Sequence, residues 1–193
     1  MNRLIIASTL ALAAVTARPA LADSYTESES VGRSGPFFGI GINAGEIRCK
    51  DDRCDSFPEA AGIELHIGHM LGNNLAVVVD GWAMAHKSDE DVLGGTLTVT
   101  NSIVTVGPQL WILPRLWVRG GVGLARASYA YDGIINVDGE TDTALGITAA
   151  VGLELVANDH LGLDVQFRAG TGFYDEENLE AQNLALGVSV TWF

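Results

Sequence analysis

Apolar side chains recur at every second position through most of this chain after residue 35. Segments with this period lie at about 36–48, 60–71, 75–87, 95–112, 115–131, 142–157, 160–174 and 181–193. A period of two places alternate side chains on opposite faces of a β-strand. A membrane-spanning helix would need roughly 20 consecutive apolar residues, and glycine or charged residues interrupt every such run. The chain is therefore predicted to be all-β.

The first 22 residues have the pattern of a secretory signal peptide. Arg3 supplies a positive charge, residues 4–15 an apolar core, and Ala20-Leu21-Ala22 a cleavage site of small residues. Cleavage there would remove two arginines and move the net charge from −13 to −15. So acidic a chain is not expected to bind nucleic acid through its phosphates. Residues 23–35 are polar and without period, which predicts a flexible periplasmic lead-in.

Short and long connections alternate strictly between the predicted strands. The short ones are Gly72-Asn73-Asn74, Leu113-Pro114 and Asn158-Asp159, which have the residues of tight hairpin turns. The long ones, at 50–55, 88–91, 132–142 and 175–180, are rich in charge. Outer-membrane barrels have short periplasmic turns and longer extracellular loops. We therefore expect a Gram-negative outer-membrane location with both termini in the periplasm.

The composition of the two strand faces indicates which face points inward. Over 160–174, the residues Leu161, Leu163, Val165, Phe167 and Ala169 alternate with Gly162, Asp164, Gln166, Arg168 and Gly170. A soluble barrel has the same period, but its polar face meets water and is rich in Lys and Glu. Here that face is mostly Gly, Thr, Gln and Ser. The only lysines after the signal peptide are Lys50 and Lys87. The pattern predicts an eight-stranded antiparallel transmembrane up-and-down β-barrel over residues 36–193.

Aromatic residues lie near the ends of the predicted strands, where Trp and Tyr favour the two bilayer interfaces. Trp82 is the exception at mid-span. We expect two aromatic belts, formed by Phe37, Phe38, Trp111 and Trp117 on the periplasmic side and by Tyr129, Tyr131, Phe173 and Tyr174 on the outer side.

The chain resembles the small eight-stranded outer-membrane barrels of the OmpA and OmpX type, which are grouped with the opacity-like porins. The resemblance spans about residues 36–193. It rests on Phe37-Phe38-Gly39-Ile40-Gly41, Val106-Gly107-Pro108-Gln109-Leu110, Gly120-Gly121-Val122-Gly123-Leu124-Ala125 and Gly187-Val188-Ser189-Val190-Thr191-Trp192-Phe193. It implies a monomer surrounded by outer-membrane lipids and lipopolysaccharide.

In that family the final strand, ending in Phe, is the signal for the barrel-insertion machinery. The resemblance therefore implies that Trp192 and Phe193 form the assembly signal. One departure is visible: Trp192 continues the apolar face of the last strand, so Phe193 is one position out of phase with it.

Polar and charged residues on the inward face are predicted to form a lumen network. Its members are Glu64, His66, Asp80, Arg119, Glu154, Asp164, Gln166 and Arg168. Buried charges must be paired or hydrogen-bonded, so Arg119 and Arg168 should each meet an inward carboxylate. Adjacent strands favour Glu154 or Asp164 as the partner of Arg168. The network is expected to be a polar plug; an ion or small-solute path is the alternative.

Catalytic and metal-binding patterns are weak in this sequence. His86-Lys87-Ser88 near the outer end of a strand has the spacing of a His-x-Ser pair, which leaves a lipid A-modifying barrel enzyme as a third interpretation, although the rest of such a motif is missing. His66 and His69 fall on opposite faces of one strand, which argues against a shared metal. No catalytic residue, metal site or cofactor is expected.

Two cysteines and many acidic residues lie in the long connections. Cys49 and Cys54 bracket the first one, and an even cysteine count in an oxidising compartment favours a disulfide. Of 24 Asp and Glu residues, 14 lie in the four long connections. They could bind divalent cations or bridge to lipopolysaccharide, but solvated, mutually repelling loops are favoured because no calcium-loop spacing is present. We predict a structural or surface-interaction protein that meets an extracellular partner through these loops.

Overall fold

The computed structural model describes residues 32–49, 57–90, 95–132, 137–174 and 179–193. These ranges are almost entirely β-strand. The strands are β1 (Pro36–Cys49), β2 (Phe57–Met70), β3 (Leu75–Glu90), β4 (Gly95–Leu113), β5 (Leu116–Asp132), β6 (Val137–Glu140), β7 (Ala144–Ala157), β8 (Leu161–Tyr174) and β9 (Leu179–Trp192). All eight predicted strands are present, with ends within three residues of the predicted positions. The described residues contain one further strand, β6, which lies in a connection predicted to be a loop.

Antiparallel pairing closes the sheet into a barrel. Each strand pairs with its neighbour in the chain, apart from β6, and β1 pairs with β9 to complete the circle. β7 pairs with β5 over Leu116–Ala125. Beyond that point β5 pairs with β6 instead, over Ser128–Tyr131. Among the described residues, eight strands therefore form the closed wall and β6 extends it at one place, which confirms the predicted eight-stranded antiparallel barrel.

The two ends of the barrel differ. At one end, here called the turn end, residues 71–74, 114–115 and 158–160 join consecutive strands in short turns. The backbone amides of His160 and Leu161 donate to the side chain of Asn158, each at 2.9 Å, which is the expected turn chemistry of Asn. The opposite end is called the loop end. The connections at 50–56, 91–94, 133–136 and 175–178 lie outside the described residues.

Burial in this barrel is the inverse of burial in a soluble protein. Leu153 and Phe167 are 49% and 46% exposed, whereas Arg119 and Glu154 are 7% and 3% exposed. The exposed apolar side chains form a continuous band around the wall and include Ile40, Ile42, Ile63, Leu65, Val104, Val106, Val122, Leu124, Leu145, Ile147, Leu186 and Val188. A surface of this kind is stable only against hydrocarbon, because its area would be costly in water. The apolar face therefore meets lipid and the polar face lines the lumen.

The upper limit of the lipid-facing band can be read from β4 and β5. Outward side chains on β4 are apolar from Val104 to Ile112 and become Thr at 96, 98 and 100. On β5 at the same height, the next lipid-side residue after Leu124 toward the loop end is Arg126. Arg126 pairs with Ser102 of β4. Nine residues of β4 thus cross the apolar layer, as expected for a tilted strand. No helix in the described part of the chain is long and apolar enough to cross a membrane.

Candidate functional site

The centre of the lumen is a network of paired charges. The guanidinium of Arg168 donates to the carboxylates of Glu64 and Asp80, and all three side chains are at most 3% exposed. Arg119 donates to Asp80 at 3.2 Å and to the side-chain oxygen of Gln109 at 2.8 Å. Asp80 therefore bridges the two arginines. The network was predicted because buried charges must be paired or hydrogen-bonded. These charged hydrogen bonds satisfy that requirement.

The partner predicted for Arg168 was wrong. Arg168 lies opposite Ala150 on β7, and Glu154 is paired with Asp164, four residues further along. The carboxylates of Glu154 and Asp164 therefore lie at a different height along the barrel from the Arg168 guanidinium. The side chain instead crosses the lumen to β2 and β3, which carry Glu64 and Asp80. Adjacency along the wall could not predict a contact made across the barrel axis.

Aromatic rings lie against both central arginines. The Arg168 guanidinium is 4.8 Å from the centre of the Trp82 ring, and the Arg119 guanidinium is 4.9 Å from that of Trp117. These cation–π contacts add to the pairing with carboxylates. They also explain why Trp82 lies at mid-span: its side chain is 2% exposed and belongs to the lumen.

The other predicted lumen residues are also buried. His66 Nε2 lies 3.0 Å from Thr191 Oγ1, and its Nδ1 lies 3.5 Å from Glu64. Ser189 donates to Asp164 at 2.9 Å, and Trp111 Nε1 donates to Glu154 at 2.8 Å. Gln166 is 1% exposed. The structure thus places all eight residues of the predicted network in the lumen of the barrel.

Apolar clusters close the lumen on both sides of the charged layer. At the turn end, Phe193 packs against a cluster made of Phe37, Met70, Ala76, Val78, Trp111 and Trp117. Toward the loop end lie two more clusters: Ile47, Ala60, Trp82, Met84 and Ala185, and Ile103, Ala125, Tyr174 and Ala181. Tyr174 donates to Asn101, and Asn101 donates to Asn183, at 2.9 and 3.0 Å. In the described part of the chain, side chains therefore occupy the lumen in the charged layer and on both sides of it.

Glycines on the inward face make room for these large side chains. A Cβ atom on Gly152 would collide with the Trp117 ring, and one on Gly39 would collide with the His66 ring. By contrast, a Cβ on the outward-facing Gly120 would find its nearest neighbour at 3.9 Å. The glycines on the polar face of the strands thus leave space for the aromatic and charged side chains in the lumen.

Arg33 is a lumen residue that sequence reasoning did not identify. It lies in the segment predicted to be a flexible lead-in, yet it is 5% exposed. Its guanidinium pairs with Glu154, donates to the carbonyl of Pro114 at 2.9 Å and lies 4.8 Å from the Trp111 ring centre. The one available signal was charge: Arg33 is the sole arginine of the lead-in and precedes β1 by three residues.

The predicted aromatic belts need correction. Phe37, Trp111, Trp117 and Tyr174 are at most 4% exposed and point into the lumen. Phe38 and Phe173 point outward, at 56% and 38% exposed, as does Trp192 at 38%. Tyr129 and Tyr131 lie above the lipid-facing band on the face that continues the lumen. The prediction used the height of each residue and neglected the alternation of faces, which decides whether a ring meets lipid.

The remaining candidate groups are separated or incomplete. His66 is buried while His69 is exposed, as the face alternation predicts. Among the described residues, no group of three His, Cys, Asp or Glu side chains could hold a metal ion. His86 and Ser88 share the inward face of β3, but His86 Nδ1 has no hydrogen-bond partner in the described part of the chain. Cys54 lies outside the described residues, so the Cys49–Cys54 disulfide remains a prediction.

Comparisons with known proteins agree with this architecture. The family model of the outer membrane protein beta-barrel domain matches residues 7–191. The solved structure of Ail, the attachment invasion locus protein of Yersinia pestis, has a TM-score of 0.62 at 15% identity and covers 82% of this chain and 99% of Ail. Neisserial surface protein A has a TM-score of 0.55 at 15% identity, over 81% of this chain and 97% of that protein. A search of curated protein sequences found no match. At such identities the structural likeness concerns the fold.

Proposed function

Because the chain belongs to the outer membrane protein β-barrel family, we propose that it is a closed barrel that acts through the surface it presents outside the cell. The outer membrane supplies its lipid surroundings. The turn end and both termini face the periplasm, and the loop end faces outward, in keeping with the short turns and the long acidic connections. Trp192 and Phe193 would serve the insertion machinery during assembly.

The filled lumen carries this proposal. A solute would have to displace the Arg168–Glu64–Asp80 contacts at the centre and apolar clusters on both sides of them. Breaking a buried ion pair by removing one partner costs about 3–5 kcal/mol. The need to break such contacts in the charged layer disfavours the channel alternative. Activity at the loop end requires no such opening.

The outer surface favours some partners over others. The solved structure of Ail contains a heparin analogue, sucrose octasulfate. A sulfated polyanion is a poor match for this chain, because 14 of its 24 acidic residues lie in the four long connections. Like charges brought together in an interface are repelled. We therefore propose that partners of the loop end are cationic. Divalent cations would link the same loops to neighbouring lipopolysaccharide.

Planar-bilayer recording tests the closed barrel. We expect the purified, refolded protein to give no steady conductance. Replacing Trp117, Arg168 and Trp82 together with Ala removes a side chain from the turn-end cluster, the charged layer and a loop-end cluster, and should produce openings. Trp192→Ala is the matched control, because it removes a tryptophan of similar height that faces lipid. Steady, sizeable conductance by the unaltered protein would contradict the proposal and favour a channel.

A further inference from the structure

At the loop end, β3, β4 and β5 continue past the lipid-facing band, and β6 lies beside them. β5 pairs with β7 only up to Ala125, and its residues 126–132 lie beyond that point. They pair with Thr96–Ser102 of β4 on one side and with β6 on the other. β3 follows along β4 to Glu90. At about 3.3 Å per residue, the seven further residues of β5 extend the strand by about 23 Å. We call this part of β3–β6 the extension.

The outward face of the extension is polar. It carries Thr96, Thr98 and Thr100 on β4, and Arg126 and Ser128 on β5. Arg126 forms an ion pair with Glu140 in which both side chains are 56% exposed. An exposed ion pair of this kind belongs in water and is incompatible with the bilayer core. The extension therefore stands clear of the lipid.

On β4, β5 and β6, the inward face of the extension is apolar and aromatic. Cross-strand pairing places Val99 opposite Tyr129 and Leu97 opposite Tyr131. On the other side, Tyr129 pairs with Gly139, and Tyr131 pairs with Val137. We name this set of five side chains the aromatic face: Leu97, Val99, Tyr129, Tyr131 and Val137. Tyr129 is 50% exposed and Val137 is 48% exposed. Large apolar surface is thus left open in a part of the molecule that meets water.

Two glycines allow the tyrosine rings to lie along the sheet. A Cβ on Gly139 would collide with the Tyr129 ring, and a Cβ on Gly95 would collide with the Tyr131 hydroxyl. The rings are therefore held close to the backbone and form a broad surface. At the edge of the face, the His86 ring lies 5.4 Å from the Phe57 ring. Rigid aromatic surfaces lose little side-chain entropy on binding, which makes them effective in recognition.

The extension that carries this surface is acidic. The described segments of the extension, 85–90, 95–102, 125–132 and 137–142, hold six acidic and two basic residues. One of the two basic residues, Arg126, is already paired with Glu140. A partner would therefore meet an apolar surface on a part of the protein that has a net negative charge. Such a charge attracts cationic partners and excludes anionic ones.

We propose that the aromatic face binds a cationic amphipathic polypeptide segment, with aliphatic or aromatic side chains against the tyrosines and with Lys or Arg attracted by the net negative charge of the extension. This inference rests on the proposed function, because it assigns a partner class to the same outward surface. An acyl chain from the bilayer is disfavoured, since the face points toward the barrel axis and the polar outward face separates it from lipid. A sulfated or phosphorylated polymer is disfavoured by the net negative charge of the extension.

A direct test uses synthetic peptides and the full protein in phosphatidylcholine nanodiscs, with empty nanodiscs as the blank. The probe is a fluorescent 16-residue peptide of alternating Lys and Leu, and its counterpart has Glu in place of Lys. We expect fluorescence anisotropy to show binding of the Lys peptide above the blank. We expect no such binding of the Glu peptide. Raising the salt from 50 to 500 mM should weaken the binding at least fivefold, because the Debye length shortens to a few ångströms.

Paired variants localise the binding. Leu97→Thr with Tyr129→Thr keeps strand-forming residues but removes the apolar surface, and we expect at least a tenfold weaker affinity. Thr98→Ser with Ala130→Ser changes the outward face of the same strands and should alter affinity less than twofold. Heat-modifiable gel migration confirms that each variant is folded.

Three outcomes would overturn the inference: equal binding by the aromatic-face variant, equal binding of the two peptides, or no binding above the blank. None of them would affect the closed barrel, which the conductance recordings test separately. Steady conductance together with peptide binding would overturn the closed barrel and leave the aromatic face in place.

Discussion

Phe38 and Trp192 stack across the seam between β1 and β9, with ring centres 4.9 Å apart and ring planes inclined by 17°. On the inner side of the same seam, the Phe37 and Phe193 rings lie 5.4 Å apart. The first and last strands of the barrel are therefore joined by aromatic contacts on both faces. Phe193, which is out of phase with the lipid-facing residues of β9, contributes the inner contact.

The outer pair should stabilise barrel closure. Trp192→Leu keeps an apolar side chain toward lipid but removes the stacked ring. Aromatic pairs contribute about 0.5–1.5 kcal/mol beyond their buried area, so we expect the free energy of unfolding to fall by about 1 kcal/mol. Urea titration of the refolded protein in detergent measures this change. Leu186→Met, on the same face of β9, is the control, and an equal loss in both variants would contradict a special role for the seam.

The central network should be more sensitive to the loss of one partner than to the loss of an oppositely charged pair. Arg168→Met leaves Glu64 buried without its arginine, and we expect a destabilisation of about 3–5 kcal/mol. Adding Glu64→Gln should recover much of that loss, because Asp80 and Arg119 still pair with each other and no uncompensated charge remains. Guanidinium unfolding of the single and double variants tests the coupling. Additive losses in the double variant would show that the two residues do not act as a unit.

Gly152 and Trp117 form a second testable pair. Gly152→Ala places a Cβ against the Trp117 ring, and overpacking of this kind typically costs about 1–3 kcal/mol. Trp117→Phe in the same chain should relieve the collision and restore part of the stability. Gly120→Ala adds the same methyl group on the outward face, where space is open, and should be nearly neutral. Thermal unfolding followed by gel migration compares the variants, and similar losses at both glycines would refute the packing explanation.

Arg33 provides a protease-based prediction. Its side chain is buried against Glu154 and Trp111, so trypsin should not cleave after Arg33 in the folded protein. Glu154→Ala removes the ion-pair partner and should open this site, which would release a fragment ending at residue 33. Mass spectrometry after limited digestion detects the product. Rapid cleavage of the unaltered protein at Arg33 would show that the guanidinium is not held in the lumen.

Most of the fold could be predicted because a two-residue period is a direct consequence of strand geometry. Leu153 and Phe167 were placed on the lipid face and Arg168 on the lumen face by alternation alone, and the structure agrees. β6 escaped prediction because four residues are too few to show a period. It is defined by its pairing with β5, beyond the end of β7.

Contacts across the lumen were beyond the reach of the sequence. The partners of Arg168 depend on the stagger between β8, β2 and β3, which no local pattern encodes. Arg33 lies outside any periodic segment, so its insertion beside Glu154 depends on the tertiary structure. The aromatic rings at the turn end were assigned to the correct height. Their faces differ because Phe37 and Phe38 are adjacent in the chain and therefore point to opposite sides of the sheet.

Tryptophan quenching tests the central claim, a lipid-facing apolar wall around a filled lumen, most directly. The chain has four tryptophans, and variants that keep only Trp192, only Trp82 or only Trp117, with Phe at the other positions, would be reconstituted in bilayers. We expect brominated acyl chains to quench Trp192 strongly and to leave Trp82 and Trp117 nearly unchanged, while iodide in the water quenches neither lumen residue. Quenching of Trp82 or Trp117 by iodide, or stronger quenching of these two than of Trp192 by brominated lipid, would contradict the structure proposed for this barrel.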